Sequence, residues 1–182
     1  MAQLDAHDRI EQKGLQPLRH QVKGAVITVS DRCISGERED KSGPLAVKLL
    51  AKYNVDADVR LVPDGIDSVQ KAIHCAIADG ARIVVTSGGT GVTPRDLTPE
   101  ATQPLVQVRL DGIAHQIREY GLKNTPLASL SRGIVGITQR GSKGVLIVNA
   151  PGSRGGVKDT IAVVGPLIPH ILEQFDPETF EL

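Results

Sequence analysis

The segment ARIVVTSGGTGVTPRDLTPEA, residues 81–101, decides how the rest of the chain is read. It opens on a β-branched apolar run, passes through Gly88, Gly89 and Gly91, and ends on Thr98-Pro99-Glu100. Those last three residues have the chemistry of a helix start: a threonine for the N-cap, a proline for the first helical position and an acid for the first turn. Strand, glycine loop and helix therefore form one unit.

Working outward, the same alternation recurs. GAVITVS (24–30) precedes GPLAVKLLAKY (43–53), and ADVRLVP (57–63) precedes SVQKAIHCAIADG (68–80). KGVLIVNAPG (143–152) precedes GVKDTIAVVGPLIPHILEQF (156–175), where Pro166 and Pro169 are expected to bend or divide the helix because each removes a backbone donor. Behind the glycine loop, residues 99–122 carry an apolar pattern that reads as helix throughout. The segment RGIVGITQRGSKGVLIVNA (132–150) holds two apolar runs around a turn-rich QRGSKG, consistent with a hairpin. The fold class expected is a three-layer α/β sandwich. Its sheet is mostly parallel with helices on both faces, and the hairpin leaves room for one antiparallel strand. Residues 1–21 are polar without a sustained period and read as an N-terminal arm, with one α/β domain from 22 to 182.

Composition narrows the function. A chain of 182 residues with 40 % hydrophobic content can bury one substantial core. Basic and acidic residues both number 21, so no net field draws nucleic acid or an anionic membrane, and any anion must be held locally. Aromatic residues are 2 % of the chain, too few to stack unpaired bases. Cys33 and Cys75 lack metal or disulfide spacing and are expected to be reduced thiols, Cys75 as core filler. His74, His115 and His170 lie in helical patterns without ligand spacing and are read as structural. With no signal-peptide or membrane-span pattern, the protein is expected to be cytosolic.

In an open α/β sheet, ligands gather beyond the carboxyl ends of the strands. Four loops fall there: SDRCISGEREDKSG, PDGIDS, SGGTGVTPRDLT and APGSRGG. Two exceed the usual strand-to-helix length of about 2 to 6 residues, which points to binding. In the third loop the glycines allow positive φ and close backbone approach, and Thr90 adds a hydroxyl. The loop is neither a Walker A sequence nor a dinucleotide fingerprint, since Pro94 takes the place of the third glycine.

Asp96 is the anomaly, because a carboxylate beside bound phosphate is repelled unless a cation intervenes. A Mg²⁺ ion would remove the conflict; the plain alternatives are that Asp96 caps the helix or pairs with Arg95. Asp64, in VPDG, is either a turn aspartate or a second acid for metal binding or proton transfer. Ser30, Asp31 and Arg32 reach the same edge. The GEREDKSG run after them reads as solvated surface or as a lid. The last loop offers backbone amides, the Ser153 hydroxyl and Arg154 as an anion fork, or is a plain turn before a helix.

Together VSDRCISGEREDKSGP, VPDG, TSGGTGVTPRDLTPEA, TPLASLSR and NAPGS, in this order and separation, resemble the MogA/MoaB molybdopterin-binding family. The match runs from about Lys23 to Phe175, and its third motif is highly specific. The resemblance implies adenylylation of molybdopterin with Mg·ATP, releasing pyrophosphate and preparing the pterin for molybdate insertion. It implies Asp64 and Asp96 as the functional acids and as metal ligands. It also implies substrate contacts from Ser30, Asp31, Gly88, Gly89, Thr90, Gly91, Ser131, Arg132, Pro151, Gly152 and Ser153. A homo-oligomer, trimer or hexamer, and contact with a molybdate-insertion protein are implied as well. The alternative is a homologue that binds molybdopterin, or scaffolds the pathway, without turnover. One departure stands out: many relatives place a second proline after Pro-Gly-Ser, where this chain has Arg154-Gly155-Gly156.

Overall fold

A computed structural model describes residues 18–175. Its sheet has six strands: β1 (Val22–Val29), β2 (Val55–Val62), β3 (Ile83–Ser87), β4 (Val108–Arg109), β5 (Val135–Ile137) and β6 (Leu146–Ala150), in the order β2-β1-β3-β6-β5-β4. β1 pairs in parallel with β2 and β3, and β3 with β6. β5 runs antiparallel to both β6 and β4, so a single strand opposes the others and the expected hairpin is present.

Helices cover both faces. α1 (Asp31–Ile34) and α2 (Gly43–Leu50) follow β1, α3 (Ile66–Ala78) follows β2, and α4 (Thr98–Thr102) follows the glycine loop. α5 (Asp111–Leu122), α6 (Arg154–Val164) and α7 (Ile168–Phe175) complete the set. The central strands β3 and β6 are buried at every position, as strands covered on two faces must be. Successive side chains divide between two cores. Val26, Val85 and Val148 meet α2, α5, α6 and α7, while Ala25, Ile27, Val84 and Ile147 meet α3 and α4. The last helix is divided by a 3₁₀ turn, Gly165–Leu167, at the first of its two prolines.

Three expectations are corrected. Residues 99–122 are not one helix: α4 stops at Thr102, a 3₁₀ turn spans Gln103–Leu105, and β4 pairs with β5 before α5 begins. Pro104 removes a backbone donor there, and the β-branched Val108 takes an edge position opposite Ile137. Cys75 is exposed on α3 rather than core filler, because the buried stripe of that helix is Val69, Ala72, Ile73 and Ala76. Thr98 does not cap α4 with its side chain; its hydroxyl is buried with no hydrogen-bond partner among the described residues. Most of the expected arm lies outside the described residues, but Leu18 is buried and its carbonyl accepts from Asn54 Nδ2 at 2.9 Å.

Among the described residues no helix is long and apolar enough to cross a membrane.

Candidate active site

The chain leaves β1 toward β2 on one side, and β3 lies on the other, so the crevice at the carboxyl ends of β1 and β3 is a topological switch point. A cavity of about 860 Å³ opens there, lined by all four loops singled out in the sequence.

Ser30 follows β1 and caps α1, its Oγ accepting from the Cys33 amide at 3.3 Å. Asp31 then faces Asp64. The Asp31 amide donates to Asp64 Oδ2 and the Asp64 amide donates to Asp31 Oδ1, each at 3.1 Å. The Asp64 turn is closed by the Ser68 hydroxyl, which donates to the Pro63 carbonyl at 2.8 Å and the Gly65 carbonyl at 3.0 Å.

The glycine loop owes its shape to sterics. Gly88 (φ +114°) and Gly89 (φ +63°) are left-handed, and a Cβ would strike the Val29 carbonyl at the first and the Thr98 hydroxyl at the second. Gly91 has no positive φ; it is glycine for room, since a Cβ would lie 2.9 Å from Asp96 Oδ2. Gly152 in the last loop is similarly confined, its would-be Cβ standing 3.1 Å from the Gly88 Cα. Two loops thus pack glycine against glycine to form the cavity floor.

Asp96 closes its own turn. Oδ2 accepts from the Thr93 amide at 2.8 Å, and the Asp96 amide donates to the Thr93 carbonyl at 3.0 Å. Partial burial works against its charge, but the Thr93 hydroxyl and amide, the Gly91 amide and the Arg132 charge outweigh burial and hold the carboxyl below its ordinary pKa. Arg95 pairs with Asp31 at 3.8 Å instead of Asp96, across an exposed gap where such a pair contributes little.

Of the residues expected at the site, Ser30, Asp31, Asp64, Gly88, Gly89, Thr90, Gly91, Asp96, Ser131, Pro151, Gly152 and Ser153 all line this cavity. Arg132 does not line it; its guanidinium turns to Glu100 and to the carbonyls of Gly91 and Asp96. Ser153 caps α6, accepting from the Gly156 amide at 3.0 Å, and Arg154 stands at the rim. The Gly156 position is filled by the Pro151 ring, so this glycine is a packing requirement, whereas Gly155 faces open space apart from Ser153 Oγ at 3.9 Å.

Sequence reasoning missed Asp40. Far from being only solvated, it accepts from Thr28 Oγ1 at 2.7 Å and from the amides of Ser42 and Gly43 at 3.0 and 2.9 Å, folding the charged loop back onto β1 and capping α2. The signal was present as an aspartate just ahead of Ser-Gly-Pro, an Asx-type helix start. Leu127 and Leu130 were missed too. They are 69 % and 51 % exposed and give an otherwise polar cavity one apolar wall.

Residues 25–170 match the family model described as "Probable molybdopterin binding domain". The chain belongs to the MogA/MoaB molybdopterin-binding family. Within this family it is 38 % identical over 152 residues to the molybdopterin adenylyltransferase of Pyrococcus furiosus, covering 83 % of this chain and 89 % of that one. A molybdopterin biosynthesis protein from Mycobacterium abscessus superposes with a TM-score of 0.78 at 42 % identity, covering 88 % and 99 % of the two chains. The tungsten cofactor synthesizing protein MoaB from Pyrococcus furiosus gives 0.78 at 36 %, covering 85 % and 97 %. Larger relatives also contain the domain: the chain spans 24 % of cinnamon from Drosophila melanogaster and 21 % of gephyrin from Dictyostelium discoideum. The MogA/MoaB domain here therefore brings a glycine loop and the carboxylates of Asp31, Asp64 and Asp96 together on one cavity.

Proposed function

We propose that the chain transfers AMP from ATP to the terminal phosphate of molybdopterin and releases pyrophosphate. The observation that carries this reading is the meeting of Asp64, Asp96 and the Gly88–Gly91 loop on one cavity, in a chain 38 % identical to a relative named molybdopterin adenylyltransferase. An oxygen of the pterin's terminal phosphate forms a bond to the α-phosphorus of ATP. The bond from that phosphorus to the bridging oxygen breaks, and its electron pair leaves with pyrophosphate. No side-chain nucleophile is required, so the protein contributes orientation and charge. The Gly89 and Thr90 amides and the start of α6 cradle phosphate oxygens, the Gly88 and Gly91 amides being committed to the Ala150 carbonyl and to Asp96; Arg154 adds positive charge at the rim, and Leu127 and Leu130 offer a face to a flat heterocycle.

The donor set fits a Mg²⁺ ion that arrives with ATP. Among the described residues no three acidic, histidine or cysteine side chains form a metal cage. Mg²⁺ on nucleotides, however, takes only one or two carboxylates, the rest of its shell being phosphate and water. Asp64 has Oδ2 committed to the Asp31 amide and, among the described residues, no partner on Oδ1, and the Asp96 carboxyl is held below its ordinary pKa by its loop. These two would hold the ion, which supplies neutralisation of phosphate charge when bound. The test is an assay of the purified chain with molybdopterin, ATP and Mg²⁺, scored for adenylylated pterin and pyrophosphate. Pterin binding without product would leave a binding or scaffold protein instead.

We propose further, on the family resemblance, that the chain self-associates as a trimer or hexamer and hands its product to a molybdate-insertion protein. Val59 and Leu61, 39 % and 42 % exposed on the edge strand β2, are apolar surface that self-association would cover. Light scattering reads the assembly directly.

A further inference from the structure

Arg132 follows directly on the cavity wall formed by Leu127, Leu130 and Ser131, yet points away from the cavity. Its donors are spent on the neighbouring loop. Nε donates to the Gly91 carbonyl at 2.7 Å, Nη2 to the Asp96 carbonyl, and the fork of Nη1 and Nη2 engages the Glu100 carboxylate, while its own amide donates to the Thr90 carbonyl at 2.9 Å. We infer that Arg132 and Glu100 are a positioning pair that ties the 126–131 wall to the Gly91–Asp96 turn and so sets where Asp96 stands in the cavity, without touching substrate. The inference rests on adenylyl transfer as the reaction.

The competing contacts are weak or local. Asp96 to Thr93 and the Thr98 amide to the Gly89 carbonyl close the loop on itself and its own helix. Among the described residues, the exposed Arg95–Asp31 pair at 3.8 Å is the one ion pair between the turn and α1. A guanidinium satisfying two carbonyls and a carboxylate in one plane is stronger and more directional than that pair. Lysine cannot reproduce it, being a single point charge on a flexible stem. The Glu100 carboxyl is held below its ordinary pKa chiefly by its hydrogen bonds from Arg132, in keeping with a persistent pair.

The experiment uses the full chain and measures kcat, the KM values for ATP and molybdopterin, and the melting temperature. The variants are Arg132→Lys, Arg132→Ala, Glu100→Ala, Glu100→Gln and the double alanine variant. Displacing an acid by about an ångström costs on the order of 100-fold in rate, so kcat should fall roughly 10- to 100-fold in Arg132→Ala. Both KM values should stay within about threefold of wild type. Lysine should fail to rescue, and the double variant should be no worse than Arg132→Ala alone. A raised KM with kcat unchanged would mean that Arg132 touches ligand, and additive losses would mean that the two residues act separately. A lowered melting temperature with both constants intact would make the pair purely structural. Any of these overturns the inference. If the Arg132 variants do not fold, Glu100→Gln at the protein surface carries the test: lower kcat at constant KM supports the inference and unchanged kcat overturns it. Turnover by wild type decides the parent reading first: no product from wild type overturns that reading and this inference with it, whereas product from wild type with unchanged kcat in the variants overturns the inference alone.

Discussion

Asp31 and Asp64, 33 residues apart, each accept a hydrogen bond from the other's backbone amide at 3.1 Å. The exchange locks the loop after β1 to the loop after β2 and leaves Asp64 Oδ1 directed to no protein group among the described residues. Asp64→Asn keeps an acceptor for the lock and removes the charge. Its pyrophosphate release should therefore fall by about 100-fold, the scale of losing one electrostatic stabiliser at a reacting phosphate, with little change in melting temperature. Asp31→Ala removes one half of the lock and should lower stability by roughly 1 kcal/mol as well as slowing turnover.

Asp96→Asn should likewise damage turnover far more than stability near neutral pH. At acid pH the sign is set by the shifts. Asp96 and Glu100 both have folded pKa values below their reference values of 3.8 and 4.5. Their stabilising contributions are therefore complete above those values and disappear as pH falls through the lower, folded ones. Melting temperatures followed downward from pH 6 should drop less steeply in an Asp96→Asn/Glu100→Gln double variant than in wild type; parallel curves would mean that neither carboxylate is linked to folding.

The two glycines after Arg154 should separate cleanly. A Cβ at Gly156 would meet the Pro151 ring atoms Cβ and Cγ at 2.5 and 2.8 Å, so Gly156→Ala should destabilise by about 1–3 kcal/mol. Gly155 lies in helical backbone with open space around it, and Gly155→Ala should stabilise by about 0.5 kcal/mol through the unfolded chain. Denaturant unfolding of both variants reads the contrast.

Asn149 is 2 % exposed within β6. Its Nδ2 donates to Thr86 Oγ1 and Thr102 Oγ1, each at 3.0 Å, and its Oδ1 accepts from the Ile134 amide at 3.2 Å. This network pins α4, and with it the end of the glycine loop, to the sheet. Asn149→Ala strands the Thr86 hydroxyl and the Ile134 amide, while the Thr102 hydroxyl keeps its bond to the Thr98 carbonyl, and should cost about 2–3 kcal/mol, lowering the melting temperature by roughly 5–10 °C.

The layered α/β fold, the four loops at one edge, the hairpin and the position of Asp64 and Asp96 on that edge were legible in the sequence alone. Each is written in local chemistry: β-branched runs, helix-start residues and glycines that backbone sterics demand. Tertiary structure decided the rest. Val108 becomes strand because Ile137 lies opposite it, Cys75 is exposed because of the turn of α3 that carries it, and Asp40 is drawn inward by Thr28 Oγ1. Arg132 is taken from the cavity by Glu100 and two carbonyls. For Val108, Asp40 and Arg132 the cause is shared: each depends on a partner distant in the chain, 12 residues away for Asp40 with Thr28 and 32 to 41 for the side-chain contacts of Arg132, and local propensity carries no record of which partner folding will bring.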